Sequence, residues 1–163
     1  LSFTVKIVKK LNSNPVKTYM PQKNQKIFNQ SGVVPYRLVD GRIEVLLITT
    51  RKSDNWVIPK GGIPQGMSPR ASAAKEAWEE AGVIGQVESR KLGTYKYRKK
   101  GKTYRVKMYS LPVKAVSKSY PELGKRHRVW LDVEQAASMV KTTSLKRILK
   151  RFSKITLAHS GFR

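Results

Sequence analysis

Trp56-Val57-Ile58-Pro59-Lys60-Gly61-Gly62-Ile63-Pro64-Gln65-Gly66-Met67-Ser68-Pro69 reads as a short buried strand stopped by a proline, a glycine-rich turn and a helix start. Ser68 supplies an N-cap hydroxyl, and Pro69 sits at N1, where a missing N–H leaves no bond unmade. The spacing predicts a helix to about residue 81, with Gly82 just past its end, where a left-handed residue belongs. Three of the ten acids in the chain, Glu76, Glu79 and Glu80, fall inside this helix. At about 100° per residue they lie near 0°, 300° and 40°, on one face, with Ala74, Ala77, Trp78 and Ala81 opposite. Two readings fit such a stripe. One is a solvated acidic face with Lys75 paired to Glu79 at i,i+4; the other is a site for a hard divalent cation, which prefers carboxylate oxygens. The strand end and the double-glycine turn bring backbone and carboxylates to one place, and that context favours the second.

On the N-terminal side, residues 33–39 and 43–49 read as strands joined at Asp40-Gly41, a strong two-residue hairpin signal. On the C-terminal side, residues 91–97 and 103–111 read as strands around Lys99-Lys100-Gly101-Lys102, and residues 128–131 as another. Asp132 or Val133 opens a helix to about residue 140, and residues 144–155 read as a second, strongly basic helix. Strands and helices that interleave with hairpins predict a mixed sheet covered by helices. The division expected is a basic N-terminal extension (1–30, with a strand at most around Phe3, Val5 and Ile7), a domain (31–158) and a tail (159–163).

Composition narrows the chemistry. A chain of 163 residues with 39% hydrophobic content supports one compact domain and excludes a wholly disordered chain. With 34 Lys and Arg against 10 Asp and Glu, the net charge is +24. A surface that repels itself so strongly points to a polyanionic partner: nucleic acid, an acidic membrane or a heavily phosphorylated small molecule. The absence of cysteine excludes disulfides, zinc-thiolate sites and thiol nucleophiles, and His127 and His159 alone make no multi-histidine metal site. No apolar run approaches the roughly 20 residues a membrane span requires, and Lys6, Lys9 and Lys10 interrupt residues 1–11 as a signal-peptide core. The expectation is a cytoplasmic protein with no membrane partner. Lys60-Gly61-Gly62 lacks the order of a nucleotide-cradling P-loop.

The run Glu76-Ala77-Trp78-Glu79-Glu80-Ala81-Gly82 resembles the Nudix hydrolase family, whose pattern is G-x5-E-x7-R-E-U-x-E-E-x-G-U, with U a bulky aliphatic residue. On residues 61–83, Gly61, Glu76, Glu79, Glu80, Gly82 and Val83 match, whereas Met67, Lys75 and Ala77 stand at the first Glu, the Arg and the first U. If that Glu and Arg mainly support each other, the two charged departures are linked. The resemblance implies an α/β fold, the Nudix-type α/β/α sandwich with a mixed β-sheet, and hydrolysis of a diphosphate bond with Mg²⁺ or Mn²⁺. It implies metal held by Glu76 and Glu80, with the main-chain carbonyl of Lys60 contributing, and Glu79 as the base, Glu80 being the alternative. Gly61, Gly62 and Gly82 are the motif glycines.

Two further segments resemble one branch, the diphosphoinositol polyphosphate phosphohydrolases: Arg51-Lys52-Ser53-Asp54-Asn55-Trp56 and Arg126-His127-Arg128-Val129-Trp130. A polyanionic, phosphorylated small molecule of that kind needs several converging cations. Arg51, Lys52, Lys60, Lys99, Lys100, Lys102, Arg126 and Arg128 are the candidates, Arg for bidentate phosphate contacts and Lys as a mobile point charge. The competing substrates are a dinucleoside polyphosphate and an RNA 5′-pyrophosphate. A reading of another class is a non-catalytic module that binds RNA, with Tyr95, Tyr97, Tyr104 and Tyr109 stacking bases. The oligomeric state is left open.

Overall fold

The computed structural model describes residues 24–160; the strand expected around Phe3, Val5 and Ile7 lies outside them. The elements are β1 (Ile27–Val39), β2 (Arg42–Thr49), β3 (Trp56–Val57), β4 (Lys60–Gly62), α1 (Pro69–Glu76), β5 (Val83–Gly85), β6 (Lys91–Lys99), β7 (Lys102–Val116), β8 (Arg128–Asp132), α2 (Val133–Met139) and α3 (Thr143–Ser160). A π-helical turn, Ala77–Ala81, connects α1 to β5.

The apolar run Val45-Leu46-Leu47-Ile48 of β2 is continuous because both sheet faces are covered. Val45 and Leu47 pack with Ala136, Leu149 and Phe152 of α2 and α3. Leu46 and Ile48 face the other way, onto Ala73, Ala77 and Ala81. β1 alternates likewise, Val34 joining the first core and Val33 the second. These two cores make the α/β/α sandwich.

The sheet is mixed. β1 runs parallel to β7 from Ile27↔Thr103 to Tyr36↔Pro112 and antiparallel to β2 and β4. β3 and β8 pair antiparallel with β2, and β5 and β6 with β7. Both hairpin turns have positive φ at their two central residues, Asp40 (50°) and Gly41 (74°), then Lys100 (49°) and Gly101 (73°). That is the twist a two-residue hairpin demands.

Four expectations change. β1 starts at Ile27, inside the segment read as extension, because residues 27–32 complete the parallel ladder on β7. β7 continues to Val116, where its end pairs with β5, and α3 continues to Ser160, taking in His159 from the expected tail. The helix after Ser68 is α-helical only to Glu76. Its buried stripe is Ala73, Ala77 and Ala81, each 0% exposed; Trp78 is only half-buried and, with Ala74, Ile84 and Leu111, lines a shallow apolar cleft of about 260 Å³. No helix among the described residues is long and apolar enough to cross a membrane.

Candidate active site

The glycine turn and α1 are tied at both ends of the loop between them. Ser68 Oγ accepts from the Ala71 N–H (3.1 Å), capping the helix, and Ser72 Oγ donates to the Gly62 carbonyl (3.2 Å). β4 is held on β1 with Ser31 opposite Gly61. The Glu76 carboxylate then rests directly on the Gly61 backbone: a Cβ on Gly61 would lie 2.2 Å from the Glu76 carboxyl carbon. Gly61 is therefore required for room. Gly62 is not, since a Cβ there meets nothing within 4 Å. Gly82 is needed twice over, for its φ of 65° and because a Cβ would come 2.4 Å from the Tyr120 ring.

The π-helical turn carries the other two glutamates. Glu80 is 8% exposed and Glu79 turns outward to Lys75, its Oε1 2.7 Å from Nζ. Burial pushes the Glu80 carboxyl well above the usual carboxylate range; the neighbouring Arg126 opposes this and the charge of Glu76 adds to it. Glu76 is also raised, first by burial and then by Glu79, with a hydrogen bond from Glu80 opposing. A buried carboxylate, Glu80, and a half-buried one, Glu76, whose charges each disfavour the other's ionised form, are a donor set suited to a divalent cation. Mg²⁺ is commonly held through one or two carboxylates while keeping several waters. The residues fit that pattern. Among the described residues no group of three or more His, Cys, Asp or Glu forms a complete cage.

Beside Glu80 opens a cavity of about 600 Å³. Its lining holds seven cations, Arg51, Lys52, Lys60, Arg98, Lys99, Arg126 and Lys141, against the single carboxylate of Glu80. Burial lowers the Lys60 ammonium below its usual value, with Lys99 and Arg126 acting the same way and Glu80 opposing; its Nζ sits 4.8 Å over the Tyr97 ring. Of the eight cations singled out in the sequence, five line this cavity. Lys100 occupies the β6–β7 hairpin tip, and Lys102 lies over the Phe28 ring (5.4 Å to the centroid). Arg128 is a structural residue: its guanidinium donates to the carbonyls of Ala81 (2.6 Å) and Ser117 (3.1 Å) and covers the Tyr120 ring. It satisfies the open end of the π-helical turn instead of facing a ligand. Arg126 precedes β8 and is held by Glu122 and the Thr49 carbonyl, so it does not follow the strand alternation that would place it on the face of Arg128.

Arg98 and Lys141 were missed because neither lies in a motif, and Glu122 was missed for the same reason. Glu122 is the residue that organises the cation rim. It accepts from Arg126 Nε (2.7 Å) and pairs with Arg51. Burial alone would raise its carboxyl, but Arg126 and Arg51 together hold it below the usual range. Its backbone N–H donates to the Glu79 carbonyl (3.0 Å), fastening the rim to the carboxylate turn. Arg126 also donates to the Thr49 carbonyl (3.1 Å) and stands 3.6 Å from Glu80. Of the four tyrosines considered for base stacking, Tyr95 and Tyr109 are buried, and Tyr97 and Tyr104 stack on each other at 5.0 Å and 12°.

The family model described as NUDIX domain matches residues 29–152. Nudix hydrolase 18, mitochondrial, of Arabidopsis thaliana is 36% identical over 127 residues, covering 72% of each chain. Diphosphoinositol polyphosphate phosphohydrolase 2 of Rattus norvegicus is 35% identical over 102 residues, 60% of this chain and 54% of that protein. Among solved structures, a binary complex of the C. elegans Ap4A hydrolase superposes with a TM-score of 0.66 at 25% identity, over 80% of this chain and 98% of the other.

Proposed function

The chain belongs to the NUDIX domain family and is a hydrolase, and on that premise we propose that it cleaves a phosphoanhydride bond in a compact, highly phosphorylated substrate such as a diphosphoinositol polyphosphate. The observation that carries this reading is the cavity of about 600 Å³ with seven cations around one carboxylate. A ring of phosphates presents its charges in all directions, and cations converging from several loops match that shape. A nucleotide would ask in addition for an open aromatic face, and the Tyr97–Tyr104 stack is already closed on itself.

Glu76 and Glu80 would hold Mg²⁺ or Mn²⁺ through carboxylate oxygens, with the Lys60 main-chain carbonyl as a further donor. When bound, such an ion neutralises phosphate charge and polarises the attacked phosphorus. Arg51, Lys52, Lys60, Lys99 and Arg126 orient the substrate. Glu79, steadied by Lys75, takes the proton of the attacking water. The water oxygen bonds to phosphorus, the bridging P–O bond breaks, and its electron pair stays on the departing phosphate.

A second reading, hydrolysis of a dinucleoside polyphosphate or an RNA 5′-pyrophosphate, draws on Trp56, an aromatic at the cavity wall that stacks on no other ring among the described residues. The test is a turnover panel of inositol pyrophosphates, dinucleoside polyphosphates and 5′-triphosphate RNA with Mg²⁺ and Mn²⁺. Inositol pyrophosphates are expected to give the highest kcat/KM. Glu76→Gln and Glu80→Gln are expected to lower kcat by orders of magnitude, since a neutral amide binds a hard cation poorly. Near wild-type rates in both variants would refute the metal assignment.

A further inference from the structure

Among the described residues, Ser31 Oγ is the one buried side-chain oxygen or nitrogen with no hydrogen-bond partner. Ser31 is 0% exposed. Other buried hydroxyls are engaged: Ser72 Oγ donates to the Gly62 carbonyl, Ser110 Oγ donates to Glu88, and Thr49 Oγ1 accepts from the His127 N–H. A buried hydroxyl left unpaired costs free energy that an Ala in its place would not. Packing does not ask for the hydroxyl either. Side chains alternate along a strand, so Ser31 shares its face of β1 with Val33, which sits in the second core with Ala73 and Ala77. An apolar residue would continue that core.

The surroundings give the hydroxyl a use. Ser31 stands directly opposite Gly61 in the β1–β4 ladder. Backbone bonds fix the pair on both sides, from the Ile63 N–H to the Asn29 carbonyl (3.4 Å) and from the Val33 N–H to the Pro59 carbonyl (3.1 Å). Opposite residues of an antiparallel pair project to the same face, with Cβ positions about 4.5–5.5 Å apart. On Gly61 that position is taken by the Glu76 carboxylate, whose carbon lies 2.2 Å from where a Cβ would be. Ser31 and Glu76 therefore meet as cross-strand neighbours do, the carboxylate standing in for the side chain that Gly61 lacks. α1 closes over them: Ser72, four residues before Glu76 and so on the same helix face, is buried, and its hydroxyl is already given to Gly62. None of the ion pairs among the described residues engages Glu76. A carboxylate offers about four lone-pair sites, so Glu76 can accept from Ser31 and still ligate.

We propose that Ser31 is a positioning residue for the divalent-cation site: turned about χ1, its hydroxyl donates to the Glu76 carboxylate and holds it in the orientation that ligates. The inference rests on Glu76 as a metal ligand in the reading above, and not on which phosphoanhydride is cleaved. A group that hydrogen-bonds a ligating carboxylate fixes its direction, and losing one weakens metal binding by about 10- to 100-fold. To the fold alone the same hydroxyl is a cost, so its removal separates the two roles by sign.

The test uses the full chain and Mn²⁺. Binding is read from the electron paramagnetic resonance signal of the free ion, and stability from urea unfolding in EDTA. Ser31→Ala should raise the Mn²⁺ Kd by about 10- to 100-fold and leave the urea midpoint at or above that of the wild type. Ser31→Thr, which keeps the hydroxyl, should bind Mn²⁺ more tightly than Ser31→Ala. A packing role predicts the reverse, a lower midpoint for Ser31→Ala with an unchanged Kd. An unchanged Kd overturns the proposal whatever the midpoint does, and so does Ser31→Thr binding no better than Ser31→Ala. Glu80→Gln separates this inference from the metal assignment beneath it. If that variant binds Mn²⁺ as the wild type does, the assignment fails and the proposal with it; if it loses Mn²⁺ while Ser31→Ala does not, the proposal alone fails.

Discussion

Gly61→Ala is the most direct perturbation of the carboxylate site. The new Cβ would lie 2.2 Å from the Glu76 carboxyl carbon and 2.2 Å from Oε1. Carbon atoms in contact sit about 3.5–4.0 Å apart, so the carboxylate has to retreat by roughly 1.3 Å or more. It has somewhere to go, because the Glu76 side chain is neither fully buried nor locked by a backbone partner. The fold should therefore absorb the change at about 1–3 kcal/mol, the range of an overpacked site. Catalysis should not absorb it, since misplacing a group by about 1 Å costs about 10²-fold. The assay is kcat under saturating Mg²⁺ or Mn²⁺ beside the midpoint of denaturant unfolding. Gly62→Ala is the internal control, with nothing within 4 Å of its Cβ, and should leave both readings near wild type. If Gly61→Ala keeps kcat within about threefold of wild type, the placement of Glu76 against Gly61 is irrelevant to the chemistry and the reasoning fails.

Charge reversal at Arg51 or Arg126 should raise KM for an inositol pyrophosphate steeply, by repulsion at close range; Arg126→Glu should have the larger effect, because it also leaves Glu122 and Glu80 without their shared partner. Deleting residues 1–23, which stops short of β1, should leave that KM unchanged; its loss on deletion would contradict the small-substrate reading. Restoring Met67→Glu and Lys75→Arg together should be tolerated better than Lys75→Arg alone, and a double-mutant cycle on unfolding free energy and kcat measures the coupling; additive effects would make the two departures independent. Tyr36 is raised to about 12 by burial and by Glu88, whose carboxylate accepts its hydroxyl. A group whose folded value lies above its unfolded one gives stability that is complete below the unfolded value, near 10, and lost as pH rises toward 12. Wild type should therefore lose stability relative to Tyr36→Phe between those values, as read by urea unfolding; parallel curves would exclude the effect.

Local chemistry made much of this legible. Asp40-Gly41 and Lys100-Gly101 announced their turns because so few residues accept two consecutive positive φ angles. Ser68-Pro69 and Gly82 bracketed the helix for equally local reasons. What escaped the sequence was either long-range or a matter of register. Nothing near Ile27 reveals that it pairs with Thr103, so the start of β1 was read as extension. An α-helical wheel drawn through residue 81 misplaces Trp78, because a π-helical turn widens the repeat after Glu76. Arg126 and Arg128 looked equivalent as a basic pair, yet one faces the cavity and the other seals the carbonyls of Ala81 and Ser117. Glu122 carried no motif at all; its position beside two arginines exists only after residues 71 and 4 apart in the chain meet.

The parallel pairing of β1 with β7 has a kinetic consequence. Its register joins residues 76 positions apart throughout, from Ile27 with Thr103 onward, and the whole glycine turn and carboxylate helix lie inside that closed segment. Closing a loop of this length carries an entropic term of about 4 kcal/mol before any ladder bond forms. The hairpins β1–β2 and β6–β7 are local and can form ahead of it, so the search that limits the folding rate is for one hairpin to find the other. Substitutions that weaken the β1–β7 ladder should then slow refolding, whereas those around Gly61 and Glu76 should act mainly by speeding unfolding. The glycine turn is the slack of that loop, taken up after the sheet has closed around it.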